Sequence, residues 1–580
     1  MRILIEEYQY EATAVQGVLK GAEVFKNIEG KVSIHYVGYF YNADLNDCVF
    51  ILPKVMIKNV GGQDLVFGKY DPQKIINFGE ENTFEDKTEE DFVYKFAVWI
   101  YRAIEVFKNT HKDSNIIYQE RIAKVGQNNR RQSNTYLDII LALIQFNKDN
   151  KNFFFFVLRN LHSGMNKINW TRTIATTPAI IQDGSAVYLR PVNKKRQINF
   201  DEELLVIFFS ILNFIGDKYG FKKDIDCNFP LITGKEFEKY LRGYGTVRLH
   251  QIKYKYFSDK ALQLWRLCYA FFDESRQVFA KSNQMEYLLV KDFDVVFEDI
   301  IDTLIGDNPP PDEMSKKQED GKIIDHIYTA KSLIEESQNT YYIGDSKYYK
   351  IGAELGKGSI YKQYTYARNV IQWNIDIFNR GEEAKSEVKL RDDLTEGYNI
   401  IPNFFISARM DEGFRYNEDG IKESEKQETR RKSYQFKNRL FDRDTLLLFH
   451  YDVNFLFVLS LYARNNKNSQ KTWRDKIREI FRNTIREHLQ DNFTLYKLTA
   501  KDNVNVKKYI HDNFKEVIGK VYSCDDEGNQ LYLALEKSKK EGDKEKEYEK
   551  LKQENTTLYA ELEKSFIIEE YKLADTTATV

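Results

Sequence analysis

The sequence predicts an α+β/α/β multidomain protein. A β-rich N-terminal domain spans 1–85, a mainly helical domain 86–280, a mixed sheet flanked by helices 281–465, and a helical, charged C-terminal extension 466–580. Three observations predict it. At 580 residues, 42% apolar and 14% aromatic, the chain has material for more than one hydrophobic core. Apolar residues alternate near the N-terminus and then change to helical spacing. Between 296 and 368 an acid-bearing helix pattern, two short β patterns and a basic aromatic helix pattern follow one another.

In the first segment, Lys31–Tyr41 and Asp47–Val55 are β-branched and aromatic runs around a short polar loop, the signature of a hairpin. Helical spacing follows over Glu90–Ile104, Tyr136–Ile144 and Glu203–Leu212. Residues 284–306 read as an apolar helix, and the polar, proline-rich stretch 308–321 as a surface loop. Further strands are expected within 398–409 and 445–451, and a buried helix over 453–462. Beyond 466 the Lys- and Glu-rich composition points to solvated helices. Leu551 and Leu558 are one heptad apart, too short a pattern for a coiled coil.

Charge and cysteine usage exclude several classes. The 86 basic residues balance 88 acidic ones, so any nucleic-acid contact has to come from local patches rather than a basic coat. The candidates are Lys167, Arg172, Lys194, Lys195 and Arg196 around Trp170, and Arg430, Arg431, Lys432, Lys437 and Arg439, with Arg130–Arg131 weaker. Solvated loops and strands around a core tryptophan are the competing expectation. Cys48, Cys227, Cys268 and Cys524 are too scattered for a zinc ribbon and suit free thiols in a reducing compartment. The start, Met-Arg-Ile-Leu-Ile-Glu-Glu, is not a signal peptide, and the apolar run Leu204–Ile215 is too short to span a bilayer. A cytoplasmic protein with no membrane partner is expected. Gly352–Ser359 has the look of a phosphate loop without its spacing, so nucleotide energy, if used, comes from a partner.

The chemistry concentrates in Val296–Arg368. Glu298 lies on an apolar helix pattern, where a carboxylate is costly unless paired or bound to a cation. Asp325 ends a short β run, and Asp345-Ser-Lys347 follows on a second. On an extended strand Asp345 and Lys347 project together while Ser346 points away. If the strand with Asp325 lies alongside, the carboxylates meet and form a hard-oxygen site suited to Mg²⁺, or Mn²⁺ in its place. Two or three acids, a lysine and a divalent ion are the parts required for phosphodiester hydrolysis.

This order of residues resembles the PD-(D/E)xK nuclease superfamily. Glu298, Asp325 and Asp345-Ser-Lys347 match its helix, first strand and second strand. Ile324 replaces the proline often found before the first acid. In the following helix, Tyr366-Ala-Arg aligns with the Tyr-Ala-Lys of McrC-type nucleases, which puts Lys362 at their glutamine and leaves Gln363 one step out of register. The words Tyr-Val-Gly-Tyr-Phe (36–40), Phe-Ile-Leu-Pro-Lys-Val (50–55), 438–446 and 453–462 are similar to LlaJI-family restriction endonucleases, which are related to McrC.

The resemblance implies a restriction endonuclease subunit with a PD-(D/E)xK core. Asp325, Asp345 and Glu298 would hold Mg²⁺, and Lys347 would be catalytic. Lys362, Gln363 and Tyr366 would be supporting or phosphate contacts. The implied partners are double-stranded DNA and a McrB-like AAA+ GTPase, with GTP used only by that partner, assembly through its ring, and a role in antiviral defence. A non-cleaving DNA-binding or motor-stimulating subunit, or an RNA nuclease of the same fold, remain the alternatives.

Overall fold

In a computed structural model, the chain is described except at residues 1, 21–29, 43, 46, 78–86, 121–135, 152–154, 161–166, 199–201, 220–222, 224, 226–228, 254–255, 257–258, 281–285, 312–322, 351–355, 411–419, 425–429, 434–436, 538–544 and 574–580. Cys227, Arg130–Arg131 and residues 352–355 of the glycine-rich stretch 352–359 therefore lie outside the described residues. The protein is a mixed α+β molecule, and the chain divides into two compact units, each assembled from three stretches.

The first unit comprises 1–52, 72–97 and 115–291. Its main sheet has five strands in the order Arg2–Ile5, Asp47–Leu52, Tyr36–Asn42, Glu286–Lys291, Ile117–Glu120. The expected hairpin is present, pairing Gly38 with Ile51 and Asn42 with Asp47. Gly38 has φ +144°, and a Cβ there would stand 2.2 Å from the Leu288 carbonyl oxygen. Only glycine lets the neighbouring strand approach so closely. Helices Tyr136–Asp149 and Glu203–Tyr219 confirm two of the helical patterns. The segment expected to be mainly helical also contains a three-stranded sheet and the hairpin Ile180–Gln182/Ser185–Val187.

Residues 286–291 correct the sequence reading. They form a strand of this sheet, antiparallel to 36–42, rather than the start of a helix. Glu-Tyr-Leu-Leu-Val-Lys is too short for periodicity to separate strand from helix. The left-handed Asp292 (φ 59°) then turns the chain into the following helix.

The second unit comprises 53–71, 98–114 and 292–580. Its centre is a mixed sheet of β1 (His326–Lys331), β2 (Asn339–Lys347), β3 (Pro402–Arg409), β4 (Ile421–Glu423), β5 (Arg430–Ser433) and β6 (Leu446–Asn454). The order is β1-β2-β3-β6-β4, with β5 also paired to β6. β1 runs antiparallel to β2, whereas β2, β3 and β6 are mutually parallel. Parallel neighbours need helical cover on both faces, which explains the apolar runs of β3 and β6.

Helices supply that cover. α1 (Phe293–Ile305) buries Phe293, Val296, Phe297, Ile300, Ile301, Leu304 and Ile305. At roughly 1.5–3 kcal/mol for each large apolar side chain, this stripe holds the helix without help from its polar face. α2 (Lys357–Asn379) packs Tyr366, Val370 and Ile371 against Tyr341 and Ile343 of β2. α3 (Phe455–Arg464) is the expected buried helix, and α4 (Lys467–Asn492) stacks Phe481 on Phe404 and Tyr451.

The helical C-terminal extension is also corrected. Beyond α4 the chain forms a four-stranded antiparallel sheet, Val521–Ser523, Leu531–Glu536, Phe493–Ala500, Phe566–Tyr571 in spatial order, with helix Glu545–Ser565 packed on it. Leu498, Leu531, Leu533, Leu558 and Leu562 share one buried cluster, so an apolar core exists beneath a charged composition.

Candidate active site

The site begins with the register of β1 and β2. The antiparallel ladder pairs His326 with Gly344, and one step further sets Asp325 opposite Asp345. Directly opposed residues share a face, and the two carboxyl groups are hydrogen-bonded to each other. Asp325 thus sits on the bend just before β1, whereas the sequence reading had put it at the end of a β run. Its Oδ2 also accepts from the Ser346 backbone N–H at 3.3 Å.

Asp345 and Lys347 project from one face of β2, as alternation requires, and form an ion pair. Both side chains are largely buried, at 6% and 11% exposure. Lys347 Nζ also lies 5.3 Å from the centroid of the Phe405 ring on β3. Ser346 points the other way, and its Oγ is 2.5 Å from Nε2 of the fully buried His326, whose Nδ1 lies 3.4 Å from Asp302 Oδ1. This polar chain behind β2 was not anticipated. The alternation of Asp-Ser-Lys assigns Ser346 to that face, but nothing in the sequence shows its partner.

Electrostatics tie in the remaining residues. Burial pushes the Asp325 carboxyl up to about 9, reinforced by the hydrogen bond and charge of Asp345 and by Glu298. Burial likewise raises Glu298 on α1 to about 7, with Asp294 and Asp345 adding to the shift and Lys347 and Lys362 opposing it. Three carboxylates therefore share one poorly solvated region with two lysines.

Lys362 lies 5.4 Å from the Tyr366 ring centroid. Its ammonium is held charged first by Tyr366 and then by Asp345 and Asp325. Gln363 is buried, and its Nε2 donates 3.2 Å to the Ile343 carbonyl. Of the two candidate positions on α2, Lys362 therefore senses the acids while Gln363 ties the helix to β2.

These acids suit a divalent cation as a pair rather than as a closed cage. Among the described residues, no three His, Cys, Asp or Glu side chains are gathered tightly enough to hold a metal ion. Asp325 and Asp345 nevertheless offer hard oxygens from two adjoining strands, with Glu298 at longer range. The raised proton affinity of Asp325 and Glu298 is the cost of crowding buried negative charge, which a cation would offset.

The candidate DNA contacts fall in both units. Trp170 and Arg172 are exposed on helix Trp170–Thr176, so this tryptophan is not a core residue. The backbones of Lys167 and Lys194 pair across an antiparallel ladder, while the side chains of Lys167, Lys194, Lys195 and Arg196 lie outside the described residues. Those of Arg430, Arg431 and Lys432 on β5 do too. Lys437 pairs with Glu547 at 3.1 Å and Arg439 with Asp442 at 3.7 Å. Cys48, Cys268 and Cys524 are free thiols, and no described helix is long and apolar enough to cross a membrane. Comparison with protein-family models, with curated proteins and with solved structures finds no match for this chain.

Proposed function

We propose that this chain is a Mg²⁺-dependent endodeoxyribonuclease, a McrC-like subunit that cuts duplex DNA together with a McrB-like AAA+ GTPase in defence against foreign DNA. The observation that carries the reading is the meeting of Asp325, Asp345 and Lys347 at the ends of two paired strands. The order of these residues along the chain, with Glu298 before and Lys362 and Tyr366 after, supports it further.

Asp325 and Asp345 would hold the ion, with Glu298 as a further acid. When bound, the divalent ion supplies Lewis-acid stabilisation of charge at the phosphate and lowers the proton affinity of water. Lys347, fixed between Asp345 and the Phe405 ring, orients the attacking water and offsets charge that develops at phosphorus. Lys362, held by Tyr366, adds positive charge from the helix side. The buried setting excludes bulk water and strengthens each of these interactions.

The test is cleavage of long unmodified plasmid DNA with Mg²⁺, with and without the AAA+ partner and GTP. Wild-type protein is expected to cut, and Lys347→Ala to lower the rate at least about 100-fold, the scale of losing one positioned charge-stabilising group. An unchanged rate in that variant would refute the assigned chemistry. Cutting of matched RNA but not DNA would move the substrate class.

A further inference from the structure

The parallel register of β2, β3 and β6 carries the acidic site further along the sheet. It aligns Asp345 with Phe405 and His450, and Lys347 with Ser407 and Asp452. Side chains in one such row stand on the same face. Ser407 is therefore the immediate neighbour of Lys347, about 4.8 Å away across one strand spacing. His450 and Asp452 follow one strand beyond. β4 then places Lys422 opposite Asp452. These rows lie near the carboxyl ends of the parallel strands, where open α/β sheets receive ligands.

Two features distinguish Ser407 from a core serine. It is half-buried rather than enclosed. Its Oγ lies 2.7 Å from Nε2 of His450, a side chain that is itself buried and whose ring meets Phe405 edge-on at 6.2 Å. Asp452 Oδ1 lies 3.9 Å from that same Nε2. Serine and aspartate thus approach one nitrogen, whereas a nucleophilic serine relay needs them on opposite nitrogens. The geometry suits an oriented hydroxyl, not an activated one.

We propose that Ser407 donates its hydroxyl to a non-bridging oxygen of the phosphodiester backbone beside the scissile phosphate, with His450 as the residue that positions it. This rests on the nuclease reading and names a substrate contact within it. Lys347 addresses the phosphate being cut, and Ser407, one strand over, addresses the strand's next anionic group. The chemistry needed is a neutral donor on a tetrahedral anion, which serine supplies routinely at sugar–phosphate backbones.

The experiment uses full-length protein with Mg²⁺, the AAA+ partner and GTP, and a duplex oligonucleotide in which single phosphates of the cut strand are replaced, one at a time, by uncharged methylphosphonate. Cleavage is measured for wild type, Ser407→Ala, Ser407→Thr and His450→Gln. One substitution next to the cut is expected to raise KM about 10-fold in wild type and to add almost nothing in Ser407→Ala. Ser407→Ala should raise KM by a similar factor with kcat nearly unchanged, Ser407→Thr should recover most of it, and His450→Gln should fall between.

Melting curves accompany each variant. Equal methylphosphonate penalties in wild type and Ser407→Ala, with both proteins folded, would overturn the contact. So would a loss in Ser407→Ala accounted for by a fall in melting temperature. If wild type cuts no DNA at all, the nuclease reading fails and this contact fails with it. If wild type cuts and only the Ser407 pattern is absent, the nuclease reading stands alone.

Discussion

Asp325 is charged only at a cost, because burial and the facing Asp345 both disfavour its anion. Both Asp325 and Glu298 have proton affinities raised by folding, to about 9 and about 7. A group raised in this way stabilises the fold fully below its unfolded value, about 4 for a carboxylic acid, and loses that stabilisation as pH climbs through its folded value. In the presence of a chelator, the melting temperature should therefore fall as pH rises from 4 through 7 and toward 9. Asp325→Asn should flatten that slope, and thermal melts of both proteins across the range check it. An identical slope in the variant would show that Asp325 is not the titrating group. Much at this scale was legible in the sequence. Alternation alone puts Asp345 and Lys347 on one face and Ser346 on the other. What pairs with Ser346 was not legible, because His326 reaches it only through the register of two strands.

At the scale of elements, two contacts hold the site's scaffold in place. Gly344 on β2 sits beneath the Phe404 ring, and a Cβ there would come within 2.0 Å of Phe404 Cε2. Gly344→Ala should destabilise the protein by about 1–3 kcal/mol or more, the range for overpacking a tight core, and denaturant titration measures it. The second contact is Arg478 of α4, which donates to the Ile305 carbonyl at the end of α1 at 2.5 and 2.9 Å. It also pairs with Asp307 at 2.7 Å and lies 4.1 Å from the Tyr328 ring centroid. Arg478→Ala should cost about 2–4 kcal/mol, because it strips a helix end and a carboxylate of one shared cation. The same titration tests it, and a change below 0.5 kcal/mol, the ~0.5 kcal/mol scatter of neutral surface changes, would contradict it. The segments of α1, β2 and β3 were readable from their apolar patterns, and that of α2 from its basic, aromatic run. Strand 286–291 was not, since six residues of mixed propensity fit either structure and only pairing with 36–42 decides.

For the whole molecule, the division into two interleaved units, each drawing on three stretches of chain, has no sequence signature. The four-stranded C-terminal sheet was hidden for a related reason. Leu531–Leu535 is a short, unbroken apolar run and Phe493–Leu498 alternates only in part, and the Lys- and Glu-rich helices around them dominate any window of composition. The acids, by contrast, kept their order along the chain, and order was enough to nominate them before any contact was known. The central claim is that Asp345, with Asp325 and Lys347, forms the catalytic centre of a DNA-cutting enzyme. Mg²⁺-dependent cleavage of plasmid DNA by wild type and Asp345→Ala, assayed side by side with the AAA+ partner and GTP, tests it most directly. The account predicts cutting by wild type and a loss of at least about 100-fold in a variant that still folds. Full cleavage by Asp345→Ala would contradict it.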